Sequence, residues 1–346
     1  MIDFFASAPW YVDHLAPIWL ALPPAQRGRF YVSHKASAAV LEGAHIGRPT
    51  MDPHPIVVAS FGDYRVATMC GRSSIALGQH GAGQSYSSDS TAYPGGRGQD
   101  QVSLFLVPNE TAARRTRERY KRTRVEIVGC PKLETLPRKE RSGDPVVALS
   151  FHWDGPNIAP EMKSAWSFYR SILPALGKRF HVLGHAHPRS VEMLRSWYYR
   201  TGIEVVPSFA EILRRADVYA VDNSSSLFEF AATGRPVVVL NTPDYRRNVE
   251  HGLRFWAASG VGINCERPGD LPGSFARAIE DPPEVAAARE AALDIVYQPR
   301  TGSAELAAAV LVDWAVTRRP VHDPFARRKT QIQAFRSVRA ERPVAR

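Results

Sequence analysis

The chain is predicted to be an α/β protein of two parallel-sheet domains, and three observations predict it. Short apolar runs alternate with amphipathic helical stretches almost throughout. The alternation breaks once near the middle, at the charged, turn-rich "PRKERSGDP" (137–145). A length of 346 residues also exceeds one ordinary hydrophobic core.

In the first half, "IDFFA" (2–6), "RFYVS" (29–33), "IVVAS" (56–60), "SIALGQ" (74–79), "LFLVP" (104–108) and "VEIVG" (125–129) read as strands. Between the first two, Trp10, His14, Leu15, Ile18, Trp19 and Leu22 follow helical spacing, with Pro17 as a kink. Between the last two lies the helical "TAARRTRERYKR". After the break the pattern restarts with "PVVALSF" (145–151), "RFHVLG" (179–184), "IEVVP" (203–207), "DVYAVD" (217–222) and "PVVVLN" (236–241). The stretches "EMKSAWSFYRSILPAL" and "VEMLRSWYYRTG" supply helices between them. The expected organisation is a Rossmann-like domain over 1–138, a linker over 139–144, a second Rossmann-like domain over 145–318 and a basic tail over 319–346. The polar stretch "GAGQSYSSDSTAYPGGRGQD" (81–100) is too long for a mere connection.

Hydrophobic residues make up 44% and charged residues 23%, the balance of a soluble globular protein. No apolar run approaches the ~20 residues that span a bilayer. The opening "MIDFFASAPW" has no basic leader and is broken by Asp3 and Pro9, so no signal peptide is expected. Cys70, Cys130 and Cys265 show no CxxC spacing, which argues against a disulfide framework or structural zinc and for a reducing cytoplasm. The net charge of +10 suits an anionic partner: nucleic acid, an acidic membrane surface or a phosphate-rich substrate. An Arg-rich composition from a GC-rich genome explains the same charge equally well.

Ligands of open parallel sheets bind at the strands' carboxyl ends, and three strand ends are unusual. In "VDNSSSLFEF" (221–230) a strand gives way to a helix closed by Gly234 and Pro236. Ser226 and Glu229 read as a capping box. That leaves Ser224 and Ser225, whose hydroxyls and backbone amides at a helix start suit a phosphate. Glu229, one turn further on, is within reach of a ribose hydroxyl. In "LGQHGAGQSY" (77–86) His80 is a candidate base, and Gly81 and Gly83 permit close backbone approach to a ligand. The ordinary alternative is a buried histidine bonded to a loop carbonyl. In "HVLGHAHPRS" (181–190) the HxH spacing of His185 and His187 hints at metal, but no third ligand is spaced for it. His187 beside Arg189 suits a diphosphate better.

Taken in order, "QHGAG", "SLFLVPNETAARRTRERY", "VEIVGCPKLETL", "GHAHP" and "ADVYAVDNSSSLFEFAATGRPVVVL" resemble the CDP-glycerol:poly(glycerophosphate) glycerophosphotransferase family, over roughly residues 73–305. That resemblance implies the GT-B fold, with a first domain for the acceptor and a second for the nucleotide donor. His80 falls on the family's base, and His187 on the histidine that contacts the donor diphosphate. Asp222, Ser224 and Ser225 fall on its phosphate-holding Asp-x-Ser-Ser, Glu229 on its acidic residue, and Arg235-Pro236 on its basic-Pro pair. The departures are Asn223 for tyrosine, "GCP" (129–131) for Gly-Tyr-Pro, Ala82-Gly83 for Thr-Pro, and "SFHWDG" (150–155) for a stretch ending in Trp-Arg.

The chemistry so implied is metal-independent transfer with no cofactor, the nucleotide-diphosphate donor (CDP-glycerol or a nucleotide sugar) being a substrate. "ARRTRERYKRTR" (113–124) has seven basic residues in twelve, and Arg114, Arg115, Arg117 and Lys121 are the candidate contacts for an anionic acceptor polymer, an anionic membrane surface or DNA. A solvated helix face is the plain alternative. The expected location is the cytoplasm, with peripheral membrane contact an option. Three rival readings are a phage-type DNA-modifying glycosyltransferase, a nucleotide-sugar epimerase and a non-catalytic nucleic-acid-binding protein.

Overall fold

The computed structural model describes residues 1–82, 102–137, 143–154, 163–245 and 256–317. Among the described residues the first domain holds seven strands: β1 (Ile2–Ala6), β2 (Arg27–Val32), β3 (His45–Ile46), β4 (Ile56–Val58), β5 (Ile75–Gly78), β6 (Val102–Val107) and β7 (Arg124–Ile127). They form one parallel sheet in the order β3-β2-β1-β4-β5-β6-β7. The second holds β8 (Val146–Phe151), β9 (His181–Ala186), β10 (Glu204–Val205), β11 (Val218–Val221), β12 (Val237–Leu240) and β13 (Ile263–Cys265), parallel in the order β10-β9-β8-β11-β12-β13.

Helices cover both faces of each sheet, so β1, β4, β5, β11 and β12 are buried at every position. Such strands need apolar residues on both sides, and this made them legible as continuous apolar runs. All eleven predicted strands are present. The added β3 and β13 have two and three residues, too few to show a pattern.

Each sheet has a point where the chain order reverses, between β1 and β4 in one and between β8 and β11 in the other. A crevice opens at the carboxyl ends there. The segments after β4, β5, β8, β9 and β11 all meet in it.

The last helix, Ser303–Thr317, corrects one expected boundary. Assigned by sequence to the second domain, it crosses back and packs Ala307, Ala308, Leu311 and Trp314 into the core of the first beside Phe4 and Leu15. Trp314 Nε1 donates to Ser103 Oγ at 3.2 Å. Its alanine-rich stripe reads the same whichever sheet it covers. The Glu134 carboxylate accepts from the amides of Ser303 and Ala304, which anchors the start of this helix to the first domain. Gly129 (φ +74°) completes the crossing: a Cβ there would stand 2.1 Å from the Pro299 carbonyl oxygen. Most of the expected linker (139–142) and the tail beyond 317 lie outside the described residues.

Candidate active site

β5 ends at Gly78, and the turn after it carries His80 into the crevice. His80 Nδ1 lies 2.6 Å from the carbonyl oxygen of Ala59, just past β4. A carbonyl only accepts, so Nδ1 bears the proton and Nε2 keeps its lone pair. The ring is flanked by Tyr11 at 4.9 Å and His14 at 6.2 Å, centroid to centroid. His80 is exposed to the crevice, yet the walls around it displace enough water to hold its pKa below the usual imidazole value. The Ala59 carbonyl and Glu229 oppose that shift without cancelling it. The loop-carbonyl bond weighed from the sequence is therefore present, on an open rather than a buried histidine. Gly81 has φ +81°, and a Cβ there would stand 2.9 Å from Ser225 Oγ. First-domain backbone thus touches a second-domain serine, an approach that a side chain would block. Gly83 lies outside the described residues.

On the opposite wall Asp222 is fully buried. Its carboxylate accepts from the amide of His152 at 2.9 and 3.1 Å and from that of Ala165 at 3.0 Å. It ties the end of β8 to the end of β11, beneath the surface of the crevice. The serines follow it into the short helix Ser226–Ala231. The capping box does not form: Ser226 Oγ bonds Ser224 Oγ at 2.9 Å and Tyr219 Oη at 3.0 Å, and Glu229 turns elsewhere. An ion pair draws the Glu229 carboxylate more strongly than one backbone amide does. Among the described residues Ser225 Oγ makes no hydrogen bond.

The two histidines of the HxH pattern part company. His185 is buried, its Nδ1 2.8 Å from Ser150 Oγ, and burial pushes its pKa down to about 4. His187 accepts from the Arg189 amide at Nδ1 (3.2 Å), so its neutral ring carries the proton on Nε2. Burial, then the neighbouring His152 and Arg189, push its pKa down to about 3. Around it His152 (5.1 Å) and Trp153 (6.1 Å) pack as rings, and the Arg189 guanidinium lies 4.4 Å from the Trp153 ring centre. Among the described residues no three or more His, Cys, Asp and Glu side chains are grouped to hold a metal ion.

These two histidines set a pH dependence. Each is neutral when folded and titrates near 6.5 when unfolded, so the unfolded chain binds more protons below that value. Stability is complete above about pH 6.5 and is lost as pH falls toward the folded values. Between about pH 6.5 and 5, His185 alone is expected to cost on the order of 2 kcal/mol. Urea unfolding at the two pH values measures the loss. A His185→Gln protein should lose less over the same interval, and an equal loss would remove His185 as the cause.

Sequence reasoning missed four residues of the first domain. Lys132, 7% exposed, places Nζ 2.6 Å from Oε2 of Glu229, itself 4% exposed. His14 Nε2 lies 3.9 Å from the other carboxylate oxygen, and Cys130 Sγ 3.9 Å from His14 Nδ1. Burial and the nearby Glu229 push the Cys130 thiol up to about 12, so it stays protonated. Asp13 is coupled to Lys132 and Glu229, and burial raises its pKa. No local signal marked them: His14 and Asp13 sit in an apolar helical stretch, and Lys132 follows "GCP" without a pattern of its own. Glu229, expected at a ribose, therefore faces first-domain groups. Arg235 is a buried packing residue, bonded to the Ala216 carbonyl at 2.6 Å with its guanidinium 4.4 Å from the Phe230 ring centre.

The basic stretch does not join this site. Its helix, Glu110–Arg119, starts at the crevice and runs back toward the amino end of β7. Arg115 is buried, Arg114 pairs with Glu118 and Arg117 with Glu110, each at 3.2 Å. Lys121 is exposed at the sheet's far edge, by the start of β7. The charges were legible, but a ten-residue helix carries its end away from where it began.

Two facing Rossmann-like domains, with the last helix returned to the first, make this a protein of the GT-B fold. No family model matches the chain, and no curated protein matches it. Solved structures do. The wall teichoic acid polymerase TagF, as a variant soaked with CDPG, matches with a TM-score of 0.60 at 11% identity, over 91% of this chain and 88% of that one. A putative UDP-N-acetylglucosamine 2-epimerase from Listeria monocytogenes matches at 0.59 and 13%, over 92% and 98%. MnaA of S. aureus, in a co-structure with UDP, matches at 0.59 and 10%, over 90% and 95%. At such identities the likeness is one of fold. Among the described residues no helix is long and apolar enough to cross a membrane.

Proposed function

We propose that the chain is a transferase that moves a glycosyl or glycerophosphoryl group from a nucleotide-diphosphate donor to an acceptor hydroxyl. The observation that carries this reading is the His80 turn: a neutral imidazole with its lone pair on Nε2, one residue from a glycine packed on Ser225. In this reading Nε2 takes the acceptor's proton as its oxygen attacks. With CDP-glycerol the attack falls on the glycerol-bearing phosphorus and CMP leaves. With a nucleotide sugar it falls on the anomeric carbon and the nucleoside diphosphate leaves. The His187 Nε2–H, Arg189 and the hydroxyls of Ser224 and Ser225 donate to the departing phosphate. Asp222 and Glu229 act from beneath, holding backbone and domains rather than meeting the donor. No metal ion or cofactor enters these steps, and turnover is expected to survive a chelator.

A second reading is a single-substrate reaction on a nucleotide sugar. The near-equal likeness to a putative UDP-N-acetylglucosamine 2-epimerase and to MnaA with UDP favours it. Product formed from donor without any acceptor would select it.

The test is a thermal-shift screen against CDP, UDP, GDP, ADP, CDP-glycerol, nucleotide sugars and duplex DNA. A ligand at 100 times its Kd adds about 2.7 kcal/mol to stability. One nucleotide class is expected to raise the melting temperature, with the shift reduced in Ser224→Ala/Ser225→Ala. If duplex DNA alone shifts it, the transferase reading is wrong and the protein is a nucleic-acid binder.

A further inference from the structure

Glu229 of the second domain is surrounded at the floor of the crevice by first-domain groups: Lys132 at 2.6 Å, His14 at 3.9 Å, and Asp13 and Cys130 close enough to act on the same charges. Lys132 and Glu229 are both more than nine-tenths buried. Buried charges are tolerated as a pair and not singly, so this pair forms only when the two domains stand in this relation. Glu229 lies within the helix that opens at Ser226, and so is rigidly joined to Ser224 and Ser225. Lys132 lies in the short helical turn Pro131–Thr135 that packs on helix Pro9–Ala21, the helix that flanks His80 through Tyr11 and His14.

We propose that Lys132 is a positioning residue: through its ion pair with Glu229 it holds the serine turn of the second domain against the His80–Gly81 turn of the first. The proposal rests on the reading of His80 as the base and names the device that keeps it opposite the donor groups. It also carries an electrostatic signature. His80 is faced by Tyr11 and His14 from helix Pro9–Ala21, by Lys132, by Glu229 from the serine helix and by His187 across the crevice, while Asp13 and Cys130 stand near Lys132 and Glu229. Of these, Glu229 favours the imidazolium and Lys132 disfavours it. Removing Lys132 or Glu229 should therefore move His80 in opposite directions, and a loss of turnover at nearly unchanged donor KM marks the positioning role.

The experiment is an NMR titration of the full chain with labelled histidine, His80→Asn assigning the signal. In Lys132→Met the His80 titration is expected to rise, and in Glu229→Gln to fall. Donor turnover should drop about 10²-fold in both, with KM for donor changed less than about threefold, because misplacement weakens the transition state more than binding. Lys132→Arg keeps the pair and should retain wild-type titration and most of the turnover. A His80 titration that stays put, or moves the same way in both variants, overturns the proposal. So does a fall in turnover matched by the loss of donor affinity. If Lys132→Met does not fold, Glu229→Gln and Lys132→Arg decide the question between them. The titration needs no donor, so a wild-type protein that turns over nothing refutes the transferase reading while Lys132 is still judged by NMR.

Discussion

A His80→Asn protein is expected to fold like the parent and to turn donor over about 10³-fold more slowly, within the range for losing a general base. Asparagine isolates the chemistry from the fold. Its side-chain nitrogen can take the place of Nδ1 and keep the bond to the Ala59 carbonyl, 2.6 Å away in the parent. It offers nothing in place of the Nε2 lone pair. Donor affinity should therefore hold while kcat collapses. The parent's pH–rate profile adds a second mark. Its pKa is held below the usual imidazole value, so His80 is already neutral at pH 7 and the rate should fall only on the acid side, below that range. The residual rate of the asparagine protein should lack that acid limb. Wild-type turnover by a folded His80→Asn protein would place the base elsewhere, and His14, 6.2 Å away, would be the next group to replace.

The largest loss of stability is expected from Asp222→Ala. The carboxylate takes the amides of His152 and Ala165 at 2.9–3.1 Å inside the second domain. Truncation leaves both donors buried and unpaired, each at about 1–3 kcal/mol, so a total near 4 kcal/mol is expected in urea unfolding. The change should also reach the crevice. His152 leads directly into the Trp153, His187 and Arg189 stack, so its release should weaken nucleotide binding even in the fraction that stays folded. Ser224→Ala, by comparison, loses one partly buried hydroxyl pair and should cost less than about 1.5 kcal/mol. A cost below about 1 kcal/mol for Asp222→Ala would show that the carboxylate is not what ties β8 to β11.

Part of the site was visible in the residues because strand ends are local. An apolar run that stops at "HG", at "HAHP" or at "DNSSS" states both where the backbone leaves the sheet and what it carries there. The capping box was misread for a related reason: Ser226 and Glu229 have the right spacing, but the spacing says nothing of a lysine from the other domain that draws the carboxylate away from a backbone amide. Arg114, Arg117 and Lys121 mark the other side of that limit. Their charge was evident, whereas their distance from His80 depends on the direction in which one helix leaves the crevice.

By itself the sequence determined the two parallel sheets and the polar turns at their carboxyl ends. Strands covered on both faces admit only apolar residues, and any chain carrying them must show it locally. Only the tertiary structure decided that the last helix returns to the first domain, that Asp222 turns its charge to two amides, and that Lys132 meets Glu229. Those contacts join residues from about 60 to more than 200 positions apart. What selects them is the cost of leaving a buried charge or an apolar face unpartnered, and that cost appears only when the chain is folded.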